Sequence, residues 1–326
     1  MTNDARIDDS RSGIGASQMS RRSALLAGAA GLVVATGRGN PAAAQGDPTP
    51  RPTRTPREEA AVSLYFVSRA EDRRGPLIRP YRAVVTVEPA ERRVAAAALE
   101  RLLAGPGDDV LDGGSASAIP DGISVVSADL GDDGTVRVEL SGDLLGAGVG
   151  EDLAGRLATP AAGQDGSAED RARRLRLAQI VFTLTRFETI MAVDLIVDGE
   201  PVAMEDFLGN PIEGPVGRDA FEDVSPLILI EQPLPGETIG AGFTAAGTAN
   251  TFEASLFLRL TAADGDVLLD EPVQATSGSG TRGTFEASLM VPDGTATGPV
   301  TLLGYEASAR DGSEVNRFEV PLRFDR

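Results

Sequence analysis

The chain of 326 residues contains no cysteine, no histidine, no lysine and no tryptophan. Without cysteine there are no disulfides and no thiolate sites. Without histidine the commonest general base near neutral pH and the commonest metal ligand are gone. Ser–His–Asp and Cys–His machinery is excluded, as are zinc and haem-type sites. Any enzyme chemistry would rest on carboxylates, arginine, tyrosine or hydroxyls. Aromatic residues make up only 4% of the chain, so cores must be built from Val, Leu, Ile and Ala.

Arginine supplies all 30 basic residues against 49 acidic ones, and the net charge is −19. Such a surface repels nucleic acid and anionic lipid headgroups. It keeps a protein soluble, or it meets a cationic partner. The length fits two domains plus a leader.

The leader is legible in the first 44 residues. Arg21 and Arg22 precede a short apolar stretch, Ala24 to Ala35, and small residues follow at Ala42, Ala43 and Ala44. This is the order of a signal peptide, with cleavage expected after Ala44. Ser20-Arg21-Arg22 with Leu25 resembles a twin-arginine signal, although Ala24 stands where a bulky residue is usual. Ordinary Sec export is the alternative. The apolar run is shorter than the roughly 20 residues of a spanning helix. No second such run follows, so a soluble, exported chain of the cell envelope or medium is expected. Residues 45–58, "GDPTPRPTRTPREE", carry proline too often for helix or sheet and read as an extended linker.

From residue 59 to 205 the pattern is strand, strand, helix, hairpin, helix, strand. "AVSLYFVS" alternates Val62, Leu64 and Phe66 against polar neighbours. "YRAVVTVEP" is a second strand that Pro89 ends. Val94, Ala95, Ala98, Leu99, Leu102 and Leu103 then share one helical face, opposite Glu91, Arg92, Arg93, Glu100 and Arg101, and Gly105-Pro106 stops the helix. "ISVVSADL" and "TVRVEL" flank Gly131-Asp132-Asp133-Gly134, a hairpin turn rather than a calcium loop. A Gly/Ala/Ser-rich loop follows. Ser167 and Asp170 stand at capping-box spacing before a helix whose apolar face is Leu177, Ile180, Val181, Leu184 and Phe187. Its cluster of Arg171, Arg173, Arg174 and Arg176 fits solvated side chains paired with Glu169, Asp170 or other surface acids, or else an anion grip. "MAVDLIVDGEPV" closes the domain. The reading is α+β, a mixed sheet with two helices on one face. This stretch holds no dinucleotide fingerprint, P-loop or nucleophile elbow, so no cofactor is expected.

The blocks "VSLYFV", "AALERLLAGP", "AIPDG", "VRVELSGDLL", "AQIVFTLTRF" and "VDLIVDGEPV" together resemble the GerMN domain of sporulation and spore-germination proteins. Residues 206–224 read as a second linker. From 225 to 326, short alternating runs are separated by Gly, Pro and Thr. About seven strands and no helical period indicate an immunoglobulin-like β-sandwich. "IEQPLPGET", "GTANTFEASL", "ATSGSGTRGTFEA" and "YEASARDGSEVNR" resemble the immunoglobulin-like domain of bacterial spore germination. "TFEASL" occurs twice, at 251–256 and 284–289. Period two places Phe252, Ala254, Leu256, Leu258 and Leu260 on one inner face and Phe285, Ala287 and Leu289 on another. Both copies are thus expected to be strands of one sandwich.

These resemblances imply a role in envelope assembly, sporulation or germination, with self-association or docking on a cell-envelope protein. Neither family offers a catalytic residue to carry over, so no enzyme is expected. Binding to peptidoglycan or polysaccharide is the alternative, weakened by the shortage of aromatics. Glycan hydrolysis by two carboxylates, with Asp121, Glu139 and Asp143 as candidates, ranks below both.

Overall fold

A computed structural model describes residues 58–68, 76–87, 94–107, 114–146, 148–149, 151–157, 167–206 and 209–326. The signal residues Arg21, Arg22, Ala42 and Ala44, the linker up to residue 57, Pro89, Glu91, Arg92 and Arg93 lie outside the described residues. No helix among the described residues is long and apolar enough to cross a membrane.

Strand β1 (Glu58–Ser68) pairs antiparallel with β2 (Ile78–Val87), and the short β3 (Ser115–Ala116) adds to the other side of β1. A second sheet joins β4 (Ser124–Leu130), β5 (Thr135–Ser141), β6 (Ala192–Val197) and β7 (Glu200–Pro201) in that order. It is mixed, because β5 and β6 run parallel while the other pairs are antiparallel. At the expected hairpin the Gly131 and Thr135 backbones close the turn, and Gly134 takes φ +80°, a region that favours glycine. Helix α1 (Val94–Leu103) buries Ala98, Leu99 and Leu102. Helix α2 (Glu151–Leu157) stands in the stretch read as a loop, where Gly and Ala mask a short helix. Helix α3 (Ala168–Leu184) starts on the expected capping box, in which Ser167 Oγ accepts from the Asp170 amide and Asp170 accepts from the Ser167 amide.

The α+β domain therefore has two sheets rather than one mixed sheet, and three helices among the described residues. The physical reason lies on α3. From Leu175 to Leu184 the helix is buried all round, including Arg176, Gln179 and Thr183. Thr183 Oγ1 accepts from the Tyr65 amide at 3.0 Å, and Gln179 Oε1 accepts from the Ala118 amide at 2.7 Å. These side chains take the place of a neighbouring strand, so the sheet around β1 ends against the helix. Arg176 donates to the carbonyls of Ala118, Leu144, Gly146 and Gly148 at 2.6–3.2 Å and organises the loop after β5. Burial pulls its pKa below the ordinary arginine value. The expected pairing with an acid elsewhere is met by Arg174, whereas Arg171 and Arg173 make bonds to backbone carbonyls instead of pairs with Glu169 or Asp170. Arg173 donates to the Ala203 carbonyl and Arg171 to that of Pro76, while Arg174 pairs with Asp223.

Residues 209–224 of the segment read as a linker form short elements and bury apolar residues. Two-residue strands β8 (Met204–Glu205) and β9 (Pro211–Ile212) pair, and Val216 bridges to Val193. The 3-10 turn Arg218–Val224 then buries Ala220, Phe221 and Val224. Glycine and proline gave this segment the look of a linker, but its apolar residues have a core to enter.

The sandwich packs one sheet of β10 (Ile228–Gln232), β12 (Gly242–Ala249) and β15 (Gly283–Met290) on another. The facing sheet has the order β11 (Thr238–Ile239), β17 (Glu314–Phe324), β16 (Gly298–Ala307), β13 (Ser255–Ala262) and β14 (Val267–Gln274). The sheets approach closely at Gly304, where an added Cβ would meet Ile228 Cγ2 at 2.9 Å. The second TFEASL lies at Thr284–Leu289 within β15, with Phe285 and Leu289 buried. The first does not form the expected strand throughout. Phe252–Ala254 is a 3-10 turn, Glu253 and Ala254 have φ of 55° and 57°, and Phe252 is 58% exposed. The cause is a neighbouring loop. The Thr251 carbonyl accepts from the Ser279 amide, and Gly278 sits so close that an added Cβ would lie 2.4 Å from that carbonyl. Only from Ser255 does β13 take up the inner-face pattern, with Leu256, Leu258 and Leu260 buried.

Candidate functional site

One buried core runs through both domains, and its polar centre is a three-residue cluster. Tyr65 comes from β1, Arg218 from the start of the 3-10 turn and Glu231 from β10. The Tyr65 hydroxyl donates to Glu231 Oε1, and Arg218 Nη1 donates to the same oxygen at 2.7 Å. Arg218 also donates to Thr185 Oγ1 at 2.8 Å and to the Phe182 carbonyl at 3.1 Å. Its guanidinium lies 4.7 Å from the Phe182 ring centroid and 5.3 Å from that of Tyr65. Burial pushes the Tyr65 phenol well above its ordinary range. Burial opposes the charges of Arg218 and Glu231, but their mutual attraction prevails. The arginine is held more basic and the carboxyl more acidic than usual. Every strong donor in this cluster is committed to another member or to α3. The arrangement holds two domains together and presents no open reacting position.

Two further arginine contacts reinforce the junction. Arg282 in the sandwich grips Glu222 through Nε at 2.7 Å and Nη2 at 2.8 Å, and Asn250 donates to the same carboxylate. Arg79 of β2 lies 4.2 Å from the Phe318 ring centroid and donates to the Glu319 carbonyl. Sequence reasoning singled out none of these groups. Arg218 and Glu222 fall in the segment read as a linker, and their partners are distant in sequence.

The mixed sheet bears the other candidate. A cavity of about 340 Å³ at the ends of β5 and β6 is lined by Asp143, Asp198 and Glu200, with Leu144, Leu145, Val197, Pro201 and Val202 as apolar wall. Of the three carboxylates weighed for glycan hydrolysis, only Asp143 lines it. Asp121 is exposed in the turn before β4, and Glu139 sits half-buried on β5. The structure thus brings Asp143 together with Asp198 and Glu200 rather than with its expected companions. Among the described residues no group of three or more acidic side chains is placed to hold a metal ion.

An α+β domain fused through a shared core to an immunoglobulin-like sandwich defines the class. Residues 63–203 match the family described as sporulation and spore germination, and residues 227–313 match the immunoglobulin-like domain of bacterial spore germination. The two matches fall one on each domain. The first GerMN domain of the sporulation protein GerM from Bacillus subtilis is similar at 22% identity and a TM-score of 0.29, covering 48% of this chain and 97% of that one. The tandem GerMN domains of the same protein are similar at 18% identity and a TM-score of 0.32, covering 81% and 60%. No curated protein matches the chain.

Proposed function

We propose that this chain is an exported, non-catalytic protein of the cell envelope that works by docking on a protein partner, in the setting of envelope assembly that its two domain families suggest. The observation that carries this reading is the fate of the ionisable groups. Tyr65, Arg218 and Glu231, the cluster most perturbed by burial, are spent on joining the domains. What the protein offers to its surroundings is surface: two domains joined through one core, with sheet edges suited to strand addition. Export rests on the leader read at Arg21 and Arg22 with cleavage after Ala44.

The test is chemical crosslinking of the mature chain in its native envelope, followed by reconstitution of the crosslinked pair from purified components. One protein recovered reproducibly, and bound again by the purified chain, is the expected result. Sugar release from peptidoglycan by the pure protein would overturn the non-catalytic half. Co-sedimentation with sacculi that survives moderate salt, with no protein crosslink, would replace the protein partner by the polymer.

A further inference from the structure

We propose that the free edge of β4 is the docking strand, and that its occupant is an extended segment of the partner protein carrying basic residues at both ends. This inference rests on the docking reading above and names the surface and the chemistry of the partner.

Sheet edges differ in how they are guarded. Proline and charge are the usual devices against strand addition. Strand β2 carries Pro80, Arg79 and Arg82, and β14 carries Pro272 beside Asp270 and Glu271. The short β7 and β9 contain Pro201 and Pro211. Strand β15 is engaged on its outer side only at its start, where the Thr276 amide donates to the Thr284 carbonyl and Thr276 Oγ1 accepts in return; the rest carries Glu286 and lacks acids at both ends. Strand β10 is covered on its outer side by the domain junction, with Ile228, Leu229 and Ile230 fully buried. Strand β4 is different. It has β5 on one side, helix α1 packs against it, and among the described residues no strand pairs with its other side. It contains no proline, a single charge at Asp129, and two exposed apolar side chains, Val126 at 58% and Leu130 at 50%. A bulge between Val125 and Ser127 bends it, and its register with β5 is regular from Ser127 to Leu130.

Charge selects the occupant. Residues 114–146 hold six carboxylates and one arginine, and that arginine, Arg137, is paired with Asp194 at 2.8 Å. The carboxylates stand at both ends of β4. Asp132 and Asp133 are exposed in the turn that follows it. Asp121 is exposed before it, and the acidic cavity begins beside it at Gly142, where an added Cβ would lie 3.0 Å from the Gly122 carbonyl. A second copy is a poor occupant. Antiparallel pairing of two β4 strands about Ser127 sets Asp121 of one copy against Asp132 and Asp133 of the other, and like charges face to face oppose association. A segment with lysine or arginine at each end meets attraction at both. Its backbone completes the ladder, and its apolar side chains cover Val126 and Leu130.

The probe is a synthetic peptide of alternating threonine and valine flanked by lysine pairs, added to the mature full chain, with a glutamate-flanked peptide as control. Binding is read by titration and by amide hydrogen exchange. The expected result is new protection at Ser124–Leu130, at least about tenfold weaker binding of the acidic peptide, and loss of affinity as salt rises. Val126→Lys and Leu130→Lys, both at exposed positions, abolish the protection while circular dichroism and the melting temperature stay unchanged. Asp121→Asn with Asp132→Asn weakens binding several-fold without touching the strand. The inference fails if both peptides bind alike, or if protection appears on β14 or β15 instead. It also fails if the chain forms a concentration-dependent dimer that Val126→Lys abolishes. If Val126→Lys leaves the envelope crosslink intact, the β4 surface is wrong while the docking function stands. If the unaltered chain gives no crosslink, the docking function itself falls.

Discussion

Arg218 and Arg259 are built into nearly the same device at two places. Each guanidinium lies over a tyrosine ring, at 5.3 Å for Tyr65 and 4.7 Å for Tyr305, and each tyrosine hydroxyl donates to a carboxylate. The surroundings differ. Arg218 has one carboxylate, Glu231, whose side chain is 12% exposed between the domains. Arg259 has two, Asp270 and Glu314, at 32% and 28% exposure on the outer face of the five-stranded sheet. The same groups therefore do different jobs. In the junction the lone carboxylate has no substitute, and although Arg218 is as exposed as Arg259 (22% against 23%), an unpaired charge left there has only partial access to water. On the sheet face a second carboxylate and solvent stand ready to replace the first.

The sharpest way to break the comparison is Glu231→Gln. It keeps the shape and leaves Arg218 without a counter-charge, and a loss of about 3 kcal/mol is expected from such half-broken buried pairs. Urea unfolding measures it. The pH dependence has a definite sign. Glu231 is held below the ordinary carboxylate range, so its contribution is complete above the unfolded value, about 4.3. It is lost as pH falls through the lower folded value. The gap between wild type and Glu231→Gln should thus be constant from about pH 5 to 8 and close only below about pH 4. A gap that closes near neutrality would show that Glu231 is not the group that matters.

Next in size is Glu222→Gln, which strips the bidentate partner from Arg282 where both side chains are 17% exposed. A loss of about 2 kcal/mol is expected, less than for Glu231, because Arg282 keeps bonds to Thr248 and the Pro226 carbonyl. Below it comes a matched pair of hydroxyl deletions. Tyr65→Phe removes a donor from a buried carboxylate, and about 1–2 kcal/mol should be lost. Tyr305→Phe removes a donor from Asp270, which two Arg259 nitrogens still hold at 2.6 and 3.0 Å. A measurably smaller loss in the unfolding midpoint is expected there. Equal losses would erase the distinction between the two sites.

Strands, turns and caps were legible because their causes are local. Alternation marks β5 and β15, and Ser167 with Asp170 announces α3 within four residues, whereas β1, read as alternating and half-buried, is buried on both faces from Val62 to Ser68. The binding geometry was not, because its partners are far apart. Tyr65 and Glu231 are separated by 166 residues, and Arg176 reaches carbonyls 28 to 58 residues away. The four clustered arginines of α3 gave no sign of which was buried, since the deciding groups are backbone carbonyls. The TFEASL pair shows the same limit from the other side. Six identical residues make an unbroken strand at one place and begin with a 3-10 turn at the other, because Gly278 lets a loop bond to Thr251. One signal for the junction was present: Ala220, Phe221 and Val224 place an apolar spacing inside the supposed linker, and that spacing belongs to a buried segment.

The smallest expected effect is that of Asp270→Asn. The substitution removes one of two carboxylates from Arg259 at the solvent face, while Glu314 continues to accept from Nη1 and Tyr305 Oη from Nη2. Side chains this exposed are screened by water and salt, so the loss should stay below about 1 kcal/mol. It should shrink further in 1 M salt, where the screening length is about 3 Å. The junction variant Glu231→Gln should keep more of its deficit in the same salt, because its carboxylate is less exposed, at 12% against 32% for Asp270. Unfolding both variants at low and high salt measures the difference directly. A deficit for Asp270→Asn that equals the junction value and ignores salt would mean that the outer-face cluster is covered by something that excludes water. The comparison between the two arginines would then have to be drawn again with that cover in place.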